Sequence, residues 1–135
     1  MARGYLLDTN TVSDLARNPA GPVARRVREI GVDKLAVSIV VVCEIRFGMA
    51  KAISKRLAER LDILLDQIEH IPLERPVDEH YAAIRLALER AGAPIGPNDL
   101  LIAAHARSLD FVLVTDNERE FSRVPGLAIE NWLRA

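Results

Sequence analysis

The chain has 135 residues, with 18 Lys and Arg against 19 Asp and Glu, for a formal net charge of −1. It therefore lacks a global field for nucleic acid, and any such contact must come from local clusters. Half the residues are hydrophobic and 27% charged, which excludes extended disorder and suits one domain over residues 1–135. No apolar run approaches the roughly 20 residues of a membrane helix, and the apolar part of Met1–Asp8 is too short for a signal peptide.

In chain order, apolar and β-branched runs predict strands over 4–8, 34–38, 68–72, 111–115 and 127–130. Helices are predicted over 11–17, 22–31, 39–52, 54–67, 76–92, 98–109 and 117–122. Asn18–Pro19, Gly21–Pro22 and Gly31 punctuate the first two helices, and Ser38 is placed to cap the third. Gly92–Ala93–Pro94 ends the fifth, and Gly96–Pro97–Asn98–Asp99 supplies a turn and a helix start. Such alternation predicts an α/β/α sandwich with a mainly parallel five-stranded sheet, whose ligands bind beyond the carboxyl ends of the strands. Arg25, Arg26 and Arg28 cluster on the second helix, as a solvated face or as a contact for a nucleic-acid backbone. The single cysteine, Cys43, lies in Val40–Val41–Val42–Cys43–Glu44–Ile45 and reads as a buried structural thiol; with no disulfide possible, a cytoplasmic location is expected.

Four carboxylates touch apolar runs: Asp8 after Tyr5–Leu6–Leu7, Glu44 inside the run above, Asp99 before Leu100–Leu101–Ile102, and Asp116 after Val112–Leu113–Val114–Thr115. A buried carboxylate is costly unless it protonates or finds a partner. Each has an ordinary explanation alone. Asp8 and Asp99 suit helix caps, Glu44 could pair with Lys51 or Arg46, and Asp116 suits a strand-to-helix turn. Together they fall at one predicted edge of one sheet, where no comparable set of lysines or arginines stands. Oxygen-only ligands select a hard cation, Mg²⁺ or Mn²⁺, over zinc. His70, His80 and His105 lack metal-site spacing and read as surface or core residues. No phosphate-cradling glycine loop or serine nucleophile elbow is present.

The ordered motifs resemble those of PIN-domain ribonucleases, and more narrowly of the VapC-type toxins of bacterial toxin–antitoxin pairs. The matching segments are Leu7–Asp8–Thr9–Asn10, Ser38 with Glu44 and Gly48, Pro97–Asn98–Asp99 with Ile102–Ala103–Ala104–His105–Ala106, and Leu113–Val114–Thr115–Asp116–Asn117 with Glu120–Phe121. Val124–Pro125–Gly126–Leu127 and Glu130–Asn131–Trp132 extend the match to the tail. The resemblance implies Mg²⁺- or Mn²⁺-dependent endonucleolytic cleavage of RNA, with Asp8, Glu44, Asp99 and Asp116 as catalytic metal ligands. It leaves open whether Asp116 or Glu120 is the fourth acid. Thr9, Asn10, Ser38, Thr115 and Glu120 are expected as supporting groups. It also implies a homodimer and a small VapB-like antitoxin whose C-terminal segment covers the acidic cleft. Two rivals remain. A phospho-receiver domain needs an Asp ending the third strand and a Lys after the fifth, yet residues 68–73 offer no such Asp and no Lys follows residue 55. A silent PIN-type module that only binds RNA or protein differs in lacking turnover.

Overall fold

The computed structural model describes residues 4–51 and 54–134. Five strands, β1 (Tyr5–Leu7), β2 (Leu35–Ser38), β3 (Glu69–Ile71), β4 (Val112–Val114) and β5 (Ile129–Glu130), form one sheet. Its order is β3-β2-β1-β4-β5, and every pairing is parallel. The helices are α1 (Thr9–Arg17), α2 (Pro22–Ile30), α3 (Ile39–Ala50), α4 (Lys55–Gln67), α5 (Val77–Arg90), α6 (Pro97–Leu109) and α7 (Glu118–Phe121). A 3₁₀ turn, Val32–Lys34, leads into β2.

The strand order dictates the layers. The chain steps from β1 to β2 to β3 in one direction, then jumps back across β1 to β4 and β5. Right-handed crossovers in opposite directions lie on opposite faces. The helices α1 to α4 therefore form one layer, within which α1 packs on α2, α3 and α4; α5 and α6 pack on each other in the second. Strand β1 is central, and Leu6 and Leu7 are fully buried beside Val37, Leu113 and Val114. Parallel strands covered on both faces read as continuous apolar runs, as these do.

The predicted elements match within a few residues. The first helix starts earlier, at Thr9, because Asp8 caps it. The predicted end of the third helix at residue 52 lies outside the described residues. The reading of Cys43 as buried is overturned: it is exposed. A helix turns about 100° per residue, so one run cannot face inward throughout. Val40, Val41, Val42 and Ile45 take the core, whereas Ile39, Cys43 and Phe47, four residues apart, face outward, Phe47 65% exposed. Nor do the arginines of α2 act as one patch. Arg26 lies 3.9 Å from Glu130 and over the Trp132 ring, while Arg28 donates to the Pro19 carbonyl.

Because Leu6 is fully buried in the central strand, Leu6→Ala should cost about 2–5 kcal/mol through lost transfer energy and a residual cavity. Chemical denaturation monitored by circular dichroism measures it. A loss below about 1 kcal/mol would mean that β1 is not the packed centre of the sheet.

Candidate functional site

In an open parallel sheet the crevice opens where connections diverge to opposite faces, beyond the carboxyl ends of the strands. Here that point lies between β1 and β4, and the residues just past them are Asp8 and Thr115–Asp116. Asp8 Oδ1 accepts from the Thr9 N–H at 2.8 Å, and Oδ2 accepts from the Thr115 hydroxyl at 2.9 Å. Both bonds favour the carboxylate, yet burial outweighs them and raises its pKa, with the charge of Glu44 adding to the rise.

Glu44 reaches the same place from α3. Its Oε1 accepts from the Thr9 hydroxyl at 2.6 Å and its Oε2 from the Asn98 amide at 3.3 Å. The ordinary alternatives for Glu44 have other partners: Arg46 pairs with Asp62 at 2.7 Å, and Lys51 sits over the Phe47 ring. Asp99 lies in the first turn of α6, where the helix dipole favours negative charge. Its carboxyl is nevertheless pushed up to about 7, first by burial, then by a hydrogen bond with Glu120 and the charges of Asp8, Glu120 and Glu44. Glu120 is held in turn by the Asn117 amide at 3.0 Å.

Asp8, Thr9, Asn10, Glu44, Asp99, Asp116 and Asn117 line one cleft of about 450 Å³. All four sequence-predicted acids therefore meet, but not equally. Asp116 bonds outward, accepting from Asn131 at 3.0 Å and facing Arg134 Nε at 3.5 Å. Glu120, in contrast, points inward to Asp99. Thr9, Asn10 and Thr115 stand beside the acids as expected. Ser38 does not line the cleft. It is the fully buried last residue of β2, and its hydroxyl accepts from the Val40 N–H and bonds His105 Nδ1 at 2.8 Å. Sequence reasoning assigned no role to Asn98, Asn117 and Asn131, which orient three of the acids. Their adjacency to Asp99 and Asp116, and to Glu130, was the available signal.

Among the described residues no three acidic, histidine or cysteine side chains already converge on one ion. Asp99 instead bonds Glu120, while Asp8 and Glu44 hold neutral donors. The chemistry of the donor set still fits a hard divalent cation. The candidate ligands are all oxygen, no Lys or Arg among the described residues lines the cleft, and two carboxyls have disfavoured ionised forms that a cation would relieve.

The fold and this cleft define an α/β protein built around an acidic crevice, and comparison with known proteins narrows the class. A model of the PIN domain matches residues 5–127. Ribonuclease VapC2 of Rickettsia felis is 36% identical over 95% of this chain and 97% of its own. The tRNA(fMet)-specific endonuclease VapC of Salmonella typhimurium is 32% identical over 95% of this chain and 97% of its own. The crystal structure of DNA-bound VapBC from Salmonella typhimurium matches with a TM-score of 0.88 at 31% identity, covering 96% of this chain and 98% of that one. The chain belongs to the PIN-domain family, among the VapC ribonucleases.

A carboxyl with a higher pKa folded than unfolded contributes stability that is full below its unfolded value near 3.8 and lost as pH rises through about 7. In EDTA, Asp99→Asn should therefore melt above the parent at pH 8, with the gap shrinking towards pH 5. Melting curves at both pH values measure it. A gap that is constant or grows towards pH 5 would mean that Asp99 is not crowded by the other acids.

Proposed function

We propose that this protein is a divalent-metal-dependent endoribonuclease, the toxin of a toxin–antitoxin pair, acting in the cytoplasm. The observation that carries the reading is the convergence of Asp8, Glu44 and Asp99, with Glu120 hydrogen-bonded to Asp99, at the switch point of a PIN-type sheet. Asp8 and Asp99 are the core metal ligands, Mg²⁺ or Mn²⁺ being the ion that oxygen-only ligation favours. Bound there, the ion supplies Lewis-acid activation of water and offsets charge developing on the phosphate. Glu44, held by Thr9 and Asn98, orients the attacking water or binds directly. The inward bond of Glu120 supports it as the fourth acid, with Asp116 at the rim steadied by Asn131 and Arg134.

An antitoxin of VapB type fits a second feature. An apolar groove of about 850 Å³ between α1, α2 and α4 is lined by Leu15, Val27, Ile63 and Leu64, and Ile63 is 61% exposed. A partner anchored there has an acidic cleft on the same molecule to reach for. Its natural counter-group is a guanidinium, which pairs bidentately with carboxylates.

Cleavage of an RNA pool with Mg²⁺ or Mn²⁺ should be abolished by EDTA, not restored by Ca²⁺, and unaffected by zinc-selective chelation. Asp8→Asn and Asp99→Asn should each remove it while leaving the circular dichroism spectrum intact. Parental rates in either variant, or in EDTA, would reject the metal site and leave a binding module as the better reading.

Inhibition by the antitoxin should be partly competitive with Mg²⁺ and should weaken more than binding when its cleft-directed Arg is changed to Ala. Equal inhibition by the parental and Ala antitoxins at every Mg²⁺ concentration would mean occlusion alone.

A further inference from the structure

The helices that carry Glu44 and Asp99 belong to opposite layers yet touch across the carboxyl edge of the sheet. Two hydrogen bonds join them. Ser38, at the start of α3, bonds His105 Nδ1 at 2.8 Å, and Glu44 accepts from Asn98 at 3.3 Å. Advance along α3 pairs with retreat along α6, so the helices pass antiparallel. The intervals match: six residues of α3 span about 9 Å and seven of α6 about 10.5 Å at 1.5 Å per residue. The distal rung is exposed at the cleft that Glu44 lines. The proximal rung is sealed, with Ser38 fully buried and His105 1% exposed.

Chemistry leaves that rung one arrangement. Burial lowers the pKa of His105, so the ring is neutral and carries one N–H. The Pro72 carbonyl, which His105 also bonds, can only accept, so it takes that N–H from Nε2. Nδ1 is then an acceptor and receives the Ser38 hydroxyl proton, while Ser38 Oγ accepts from the Val40 N–H that starts α3. The chain of bonds runs from the first turn of α3 through α6 to the segment after β3, with each donor and acceptor used once.

We propose that His105, through its bond to Ser38, is a positioning residue of the nuclease that sets the register of α6 on α3 and hence the placement of Asp99 relative to Glu44. The inference rests on the metal-nuclease reading above. Loss of the bond lets the two helices slide, which loosens the cation site without touching its ligands. Outer groups that orient metal ligands commonly carry 10–100-fold in affinity or activity.

Two substitutions separate this role from core packing. His105→Asn keeps an acceptor at the Nδ1 position but not the donor to Pro72. His105→Gln keeps a donor at the Nε2 position but not the acceptor for Ser38. Both put an amide in the same buried space. Mn²⁺ binding to the full-length protein, followed by electron paramagnetic resonance, should weaken about tenfold in His105→Gln and in Ser38→Ala. It should stay within about threefold of the parent in His105→Asn, and RNA-cleavage kinetics should show the same pattern in kcat, with KM unchanged. Equal losses in the Asn and Gln variants, or losses that merely follow their melting temperatures, would overturn the proposal. Asp99→Asn is the separate control: if it binds Mn²⁺ as the parent does, the metal-site reading itself fails, whereas failure of the register idea leaves Asp99→Asn defective and the two His105 variants alike.

Discussion

Carboxylates forced together at one point of a sheet edge are the constraint on which the rest of this molecule depends. Like charges near one another in a partly dry crevice oppose folding. At Asp8 and Glu44 the structure meets that cost with neutral donors rather than cations: Thr9 on both acids, Thr115 on Asp8, and Asn98 on Glu44. Such donors hold an acid in place without cancelling its charge, so the cleft remains a receptor for something positive. A lysine in the same position would have stabilised the fold and closed the site.

The architecture serves this arrangement at each level. The reversal of strand order at β1 and β4 opens the crevice and brings residues 8 and 116 to its two lips. Helix α3 then contributes Glu44 from one layer and α6 contributes Asp99 from the other. The apolar groove of α1, α2 and α4 shares no lining residue with the cleft, so the antitoxin proposed above would meet two separate surfaces.

Much of this was legible in the sequence because the strands are buried on both faces and announce themselves as unbroken apolar runs. The acids were legible for the complementary reason, that Asp8, Glu44, Asp99 and Asp116 interrupt or bound such runs. What the sequence could not convey was direction. Cys43 sits in an apolar run but faces outward because helical rotation must put some of that run on the surface. Ser38 has the right place in the chain to support the acids, yet as a fully buried strand end it turns to His105 instead. Asp116 precedes α7 and Glu120 lies within it, and the two are held by Asn131 and Asn117 respectively, contacts that the local pattern does not reveal.

The acids are also far apart in time. Residue 8 leaves the ribosome early, and residues 99 to 120 follow only after most of the chain, roughly 5–20 s later at ordinary rates of synthesis. Parallel pairing is non-local, so β1 cannot find β4 before residue 112 exists. A nascent or truncated chain therefore holds Asp8 and Glu44 but no Asp99, and it cannot assemble the four-acid crevice. The groove of α1, α2 and α4, in contrast, is encoded wholly before residue 68. The surface proposed for the antitoxin is thus translated before the crevice is complete, which would give that partner a head start on the proposed activity.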